Sequence, residues 1–592
     1  AAVIARTREV AAHAAALVRV EVDRLPHDVR LSADRDDLYA PERVNGGSDT
    51  DTARGDVGAG LAHSPFTLDQ TYTTAWYNNN PMEPHTTKAL WLDGDLALYE
   101  STQGVHATRE SAAEVLGLAP ERVHVISPHV GGAFGSKGTP HVHTVIAAMA
   151  AREVPGTPVE LALTRHQMFS LVGYRTPTVQ RVRLGCDADG RLAVVAVDAI
   201  SQTSRVKEFA EQTAVPSRTM YAAPNRGTTH RLAALDVPVP SWMRAPGECP
   251  GMFGPEVAVD ELAFACGIDP VEFRVRNEPD VEPESGKPFS SRNLVACLRE
   301  GARRFGWEHR DPAPRAREES GWLVGTGVAA STYPVNRTPG SVARIRCTAP
   351  GRYLVSIGAA DLGTGTWTSL AQVAADALGV DFADVEVLIG DTTLPKASVA
   401  GGSSGITSWG STVVAAAEAF RREFGGDPAE GDEASAGMPE DESGDEYAMH
   451  AFGAQFAEVR VRVDTGEVRV PRLLGVFAVG RVVNPRLARS QLVGGMTMGL
   501  SMALHERSVL DERFGHVVNH DFAEYHIATN ADVPHVEAHW VEEHDLHTNP
   551  MGTKGVGEIG IVGTAAAIAN AAHHATGVRV RDLPLTLDHF LR

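Results

Sequence analysis

The residues best suited to chemistry lie close to the end of the chain, in Met551-Gly-Thr-Lys554-Gly555-Val556-Gly557-Glu558. One carboxylate, Glu558, follows glycine-rich backbone and precedes a helix-like run that begins Gly563-Thr-Ala-Ala-Ala-Ile-Ala-Asn570. Peptide N–H groups presented by glycine turns and a helix start can hold phosphate or oxo groups, while a neighbouring carboxylate moves a proton. Taken alone, such a Glu is a solvated surface charge and such glycines are turns. The rest of the chain changes that balance.

Four further segments share this character: Ser127-Pro-His-Val-Gly131-Gly-Ala-Phe134-Gly135-Ser-Lys137, Asp361-Leu-Gly363-Thr364-Gly365-Thr-Trp-Thr368, Gly401-Gly-Ser403-Ser404-Gly405, and Gly480-Arg481-Val-Val-Asn484-Pro485 leading to Gln491. Each offers amides with small hydroxyl or amide side chains, which suits a large polyanionic cofactor that backbone must approach closely. No segment has P-loop spacing, and none reads G-x-G-x-x-G after a strand, so ATP and NAD are excluded as the ligand.

These loops need a scaffold. With 592 residues, 43% hydrophobic and 22% charged, the chain is a folded globular protein long enough for several domains. Fifty-four basic against 75 acidic residues give a formal charge of −21, which repels nucleic acid and anionic lipid. Cys186, Cys249, Cys266, Cys297 and Cys347 are odd in number and widely spaced, with no C-x-x-C, so they predict neither a disulfide framework nor an iron–sulfur or zinc site. No apolar run has membrane-spanning length, and the first residues lack the order of a signal peptide.

Periodicity predicts a helix over residues 10–18 and a strand over 17–22, followed by a polar linker to residue 64. Strands are expected at 88–92, 96–99 and 123–126. Helices are expected at 109–116, 255–266, 369–378, 412–424 and 563–576. The class is α+β. The acidic run 425–446 carries almost no large apolar residue and is expected to be a flexible loop.

The chain resembles the molybdopterin-binding large subunit of the xanthine dehydrogenase and aldehyde oxidase family. The resemblance covers its whole length and looks closest to bacterial periplasmic-type aldehyde oxidases. It rests on Gly131 to Lys137 (the family's G-G-G-F-G-x-K), Arg244-Ala-Pro-Gly247 (R-x-P-G) and Lys554 to Glu558 (K-G-x-G-E), with Asn80-Pro-Met-Glu-Pro-His85 and Asp269-Pro-Val-Glu-Phe-Arg-Val-Arg-Asn277 in support. It implies that residues 1–26 end an α/β hammerhead domain and that 27–64 form a linker. Residues 65–310 and 311–592 would then be two mixed α/β molybdenum-cofactor-binding domains.

The resemblance also implies a molybdenum–molybdopterin cofactor, in the cytosine dinucleotide form, with the metal held by pterin dithiolene sulfurs and no protein ligand. Gln103 and the amides of Phe134 and Gly135 would face the metal's oxo group. Gly363, Thr364, Gly365, Ser403, Ser404, Arg481, Asn484, Pro485, Gln491, Lys554, Gly555, Val556 and Gly557 would line the pterin, pyrophosphate and nucleotide. Glu558 would be the base. Arg244 would stabilise negative charge developing on the substrate, since a guanidinium stays cationic and offers several donors.

The implied activity is oxidation of aldehydes to carboxylic acids with water as oxygen source. Electrons would leave to an iron–sulfur subunit with 2Fe-2S clusters and an FAD subunit, in a heterotrimer that is cytoplasmic, or periplasmic if a partner carries the export signal. Departures from the pattern bear on substrate. Gly138 stands where purine-hydroxylating relatives carry Glu, and Ala245 where carbon monoxide dehydrogenases carry a copper-binding Cys. Hydroxylation of an N-heterocycle, or a non-catalytic paralogue, are the alternatives.

Overall fold

A computed structural model describes residues 2–440 and 443–591. Among these, four larger mixed sheets carry the chain. The first joins Val123–Ile126, Asp95–Glu100, Thr86–Leu92 and Val159–Ala162, in that order. The second runs Thr52–Arg54, Asn225–Leu235, Leu192–Ser204, Thr178–Cys186 and Phe66–Thr74. After residue 310 the third sheet orders Glu318–Glu319, Trp322–Pro334, His450–Arg462, Val468–Ala478 and Val536–Trp540, and the fourth orders Val385–Leu388, Arg352–Ser356, Val342–Ala349 and Glu433–Gly437.

Helices seal these sheets where the sequence supplies caps and apolar faces. The Pro485–Leu504 helix starts at Asn484, whose side chain accepts from the Arg486 and Leu487 amides, with Pro485 at the first helical position. The Thr564–Thr576 helix is buried along its whole length. Its backbone lies directly on the Trp322–Pro334 strand, because Gly325 and Gly327 leave no side chain between them. A Cβ at Gly327 would stand 2.3 Å from the Ala571 amide nitrogen.

Gly495 and Gly560 play the same part where the Pro485–Leu504 helix crosses the short Ile559–Val562 helix. These contacts fix the backbone just after Glu558. One continuous apolar core joins the second sheet, the Glu248–Ala265 helix, the third sheet and the Thr564–Thr576 helix.

The expected interior strands and helices are present, with most helices starting a few residues earlier than the periodicity indicates. Arg109 to Leu116 becomes Val105–Leu116, and Pro255 to Cys266 becomes Glu248–Ala265, in which Pro255 lies inside the helix. Three expectations need correction. Residues 17–22 form no strand, since they have no pairing partner among the described residues, and Leu17, Val20 and Val22 are exposed.

The linker 27–64 is built into the fold, because its Thr52–Arg54 strand pairs with Asn225–Leu235 and its Val57–His63 helix packs on the same sheet. The acidic run 425–446 is ordered in part. Glu433–Gly437 pairs with the Val342–Ala349 strand and buries Ala434, a small apolar residue that suffices for an edge. Asp441 and Glu442 of that run lie outside the described residues.

Candidate active site

A cavity of about 1050 Å³ opens between the first two sheets and the second half of the chain. That is at the upper end of the roughly 300–1,000 Å³ of small-molecule sites. Its wall brings together Gln103, Phe134, Gly135, Arg244, Gly363, Thr364, Ser403, Ser404, Arg481, Asn484, Gln491 and the whole stretch Lys554 to Glu558. Segments separated by more than 400 residues in sequence thus meet at one surface. Gly365 and Pro485 stand just behind it: a Cβ at Gly365 would strike Leu487, and Pro485 opens the helix that carries Gln491.

Glu558 sits at the turn into the Ile559–Val562 helix. Its Oε2 is buried and has no hydrogen-bond partner among the described residues. Burial raises its pKa above the ordinary carboxylate value, while Tyr333, Arg244, the Ala245 amide and Ser403 pull it back down. The Ser403 hydroxyl, on the same wall, is likewise buried, and the Glu558 carboxylate is the polar group it approaches.

Gly555 is required beside it, and Gly557 is tightly placed. A Cβ at Gly555 would come within 2.3 Å of Ser403 Cβ, and one at Gly557 within 3.2 Å of Ser403 Oγ. Backbone strain gathers here too, since Phe134, Ala245 and Ser403, all at or beside the cavity wall, hold positive φ of 57°, 57° and 53°.

Arg244 is buried and braced by backbone. Its Nε donates to the Gly557 carbonyl at 2.6 Å, its Nη2 to the Gln491 carbonyl at 2.8 Å, and its own amide to the Phe134 carbonyl at 2.9 Å. Burial pulls its pKa down to about 10, against the charge of Glu558, so the guanidinium stays cationic at neutral pH. Behind it, fully buried Arg175 donates to the carbonyls of Met243 and Arg244 and to Cys249 Sγ, and lies 3.6 Å from Glu211. The turn that carries Arg244 is thereby fixed from the inside.

Several expected contact groups are already engaged. Asp361 Oδ1 accepts from the amides of Gly363, Thr364 and Gly365 at 2.8, 2.9 and 3.2 Å, so that turn satisfies itself. The Gly135 amide donates to Gln103 Oε1, and Gln103 Nε2 to the Ala400 carbonyl, which uses one of its two N–H donors at the cavity wall. The Ser404 hydroxyl donates to the Gly401 carbonyl. The Asn484 side chain caps its helix and donates to Gln372.

The Lys554 ammonium is wholly buried against Ser291, the His450 carbonyl, Glu543 and Asp545, so only its backbone reaches the wall. Lys137 is a similar strut, bonded to Glu83 at 2.7 Å, with burial lowering its pKa. Arg481 pairs with Asp376 at 2.7 Å in an exposed bridge at the cavity edge.

Sequence reasoning missed other parts of the site. His85 and His141 both meet the Ser136 carbonyl, at 3.1 and 2.7 Å, and burial pushes their pKa values to about 2 and about 4. As neutral donors they hold the Gly131 to Lys137 loop from behind. Trp242 lies over Gly138 and is fixed by its indole N–H on Asn45 Oδ1 at 2.8 Å. Its position two residues before Arg244 is the only signal that could have found it. Tyr333, at the end of a strand, gave none.

Unpartnered polar atoms on a large, glycine-rimmed cavity fit a bulky polar cofactor with a substrate beside it. Among the described residues no group of three or more His, Cys, Asp or Glu side chains is placed to hold a metal ion, and no helix is long and apolar enough to cross a membrane.

Comparison with known proteins gives the same assignment. A family model described as a molybdopterin cofactor-binding domain matches residues 39–278, and a second of that description matches 300–426 and 429–534. Aldehyde oxidoreductase molybdenum-binding subunit PaoC of Escherichia coli (strain K12) is 39% identical over 622 residues, spanning 100% of this chain and 84% of the relative. The putative xanthine dehydrogenase molybdenum-binding subunit XdhA of the same organism is 29% identical over 99% of this chain and 85% of its own. In fold, the chain is similar to the aldehyde oxidoreductase of Desulfovibrio gigas, with a TM-score of 0.87 at 23% identity over 99% of this chain and 68% of that one. The chain belongs to the xanthine dehydrogenase and aldehyde oxidase family of molybdenum oxidoreductases, as a molybdopterin-binding large subunit.

Proposed function

We propose that the chain is the catalytic subunit of a molybdenum hydroxylase that oxidises aldehydes to carboxylic acids with water as oxygen source. The observation that carries this reading is the pairing, on one cavity wall, of Glu558, whose buried Oε2 is unpartnered among the described residues, with a buried, cationic Arg244. A base and a positive charge side by side on one wall suit attack on a carbonyl carbon. The aldehyde class is supported by the 39% identical relative, an aldehyde oxidoreductase subunit, and by Gly138. With Trp242 over it, that position offers no side chain to grip a purine.

When bound, the molybdenum–molybdopterin group supplies the two-electron sink and the oxygen-transfer chemistry. The chain would do the rest. Glu558 Oε2 takes the proton from the oxygen that attacks the aldehyde carbon, and its raised pKa makes it a better base near neutrality. Arg244 meets the negative charge growing on the carbonyl oxygen and, through Gly557, keeps Glu558 in register.

Gln103, the Phe134 amide, Ser403, Arg481 and the backbone of Gly401, Gly402 and Lys554 to Gly557 would hold the cofactor, with Gly363 to Gly365, Ser404, Asn484, Pro485 and Gln491 shaping its bed. We further assign it the cytosine dinucleotide form. An iron–sulfur subunit and an FAD subunit would take the electrons, in a cytoplasmic or partner-exported periplasmic complex. Residues 1–26 would be the end of a hammerhead domain, before cofactor-binding domains at 65–310 and 311–592.

Metal analysis of the purified complex, with anaerobic addition of an aromatic aldehyde while the molybdenum and iron–sulfur absorbance is followed, tests this reading. Stoichiometric molybdenum and rapid bleaching are expected. Bleaching by an N-heterocycle but by no aldehyde would overturn the substrate class, and absence of molybdenum would overturn catalysis.

A further inference from the structure

Cys186 and Cys266 are 80 residues apart in sequence, yet their sulfurs stand 3.3 Å apart. Cys186 ends the Thr178–Cys186 strand and is fully buried. Cys266 caps the C-terminus of the Glu248–Ala265 helix and is half-buried, between exposed Ala265 and Gly267. The helix and strand are packed against each other, and both termini are anchored by backbone bonds: Cys266 N–H to Leu262, Ile268 N–H to Ala263, and Cys186 paired with Phe66 and Leu192. A disulfide sets its sulfurs about 2.05 Å apart, and at 3.3 Å these two are already in contact. Among the described residues, Cys249, Cys297 and Cys347 make no such pair with another cysteine.

We infer that Cys186 and Cys266 form an oxidisable dithiol, which a disulfide oxidant closes into a bond that staples the end of the Glu248–Ala265 helix to the second sheet. Cys266, the accessible thiol, attacks the oxidant as thiolate, forming a mixed disulfide and releasing one thiol. Cys186 then attacks Cys266 Sγ and releases the second. Two protein thiols and one oxidant disulfide become one protein disulfide and two small thiols, with the thiol protons carried off by the released thiolates. Burial raises both thiol pKa values, Asp187 adding to the effect, so closure and reopening are slow and the bond acts as a structural staple.

An 80-residue loop is long enough for its closure to restrict the unfolded chain strongly. The helix is 18 residues long, about 27 Å, and its other end adjoins the Arg244 turn, so the staple lies away from the chemistry. An oxidising compartment would therefore hold it closed and a glutathione-reduced one open.

The test treats the holoenzyme with oxidised glutathione or with dithiothreitol, then alkylates, digests and maps it by mass spectrometry beside a thermal melt. A cross-linked Cys186–Cys266 peptide is expected only in the oxidised sample. Its melting midpoint should stand several degrees above the reduced one, and Cys266→Ser should abolish that gap. Glutathione remaining on Cys266 without cross-linking, both thiols staying free, or a cross-link with no gain in midpoint would each overturn the inference.

Discussion

Glu558 and Arg244 divide the work of the site by environment. The carboxylate is pushed toward its protonated form by burial, the guanidinium toward neutrality, and each moderates the other. Replacing Glu558 with Gln removes the proton acceptor and keeps the shape. Turnover is expected to fall by roughly two to four decades, with molybdenum content unchanged by metal analysis. In the parent enzyme the base must be deprotonated, so kcat/KM should decline as pH falls, with an apparent pKa above the usual carboxylate value. The Gln variant should lose that limb.

Arg244→Ala should cost roughly two to three decades in kcat/KM. Because its Nε and Nη2 also hold the Gly557 and Gln491 carbonyls, Arg244→Lys should rescue little of the loss, which steady-state kinetics would register.

At the scale of elements, glycines set the spacing on which the site depends. The Thr564–Thr576 helix touches the Trp322–Pro334 strand backbone to backbone, and an added Cβ at Gly327 would stand 2.3 Å from the Ala571 nitrogen and 2.5 Å from the Ala567 carbonyl. Nothing flexible can move aside there. Gly327→Ala is expected to destabilise by about 1–3 kcal/mol, the usual cost of overpacking. It should also lower cofactor occupancy by shifting the helix that follows Glu558. A thermal melt and molybdenum content, measured together, check both effects.

Across the whole molecule, buried acids and buried histidines pull the response to pH in opposite directions. Glu506 is buried against Tyr525, and desolvation raises its pKa from 4.5 to about 7. The folded state therefore holds a proton that the unfolded chain releases. The stabilisation is complete below about pH 4.5 and is lost as pH rises to about 7, on the order of 3 kcal/mol. Burial raises Glu211 and Glu248 in the same direction. Buried histidines held neutral, His85 and His141 among them, oppose this trend because they cost stability toward low pH, so the acid's share is read as a difference: the midpoint of Glu506→Gln minus that of the parent cofactor-free chain should grow as pH rises from about 5 to about 7. A difference that stays constant or shrinks over this range would contradict the account.

The sequence by itself determined the family, the α+β class, the interior helices and strands, and the loops that meet at the cavity, because glycine runs, caps and apolar periodicity are local. Glu558, Arg244 and Ser403, singled out from sequence, lie together on that cavity wall. What each group does once there was a tertiary decision. Lys554 stands in a glycine-rich anion-like motif, yet its ammonium turns inward to Glu543 and Asp545, since those carboxylates arrive from a segment no local pattern links to it.

The amides of Gly363 to Gly365 are taken by Asp361, although the spacing alone left them available. The linker became sheet because Asn225–Leu235 offered an open edge. Two of five unpatterned cysteines proved neighbours because a strand end and a helix end coincide. Residue type and spacing fix what a group can do, whereas the partners it meets in the fold fix whether it remains free to do it.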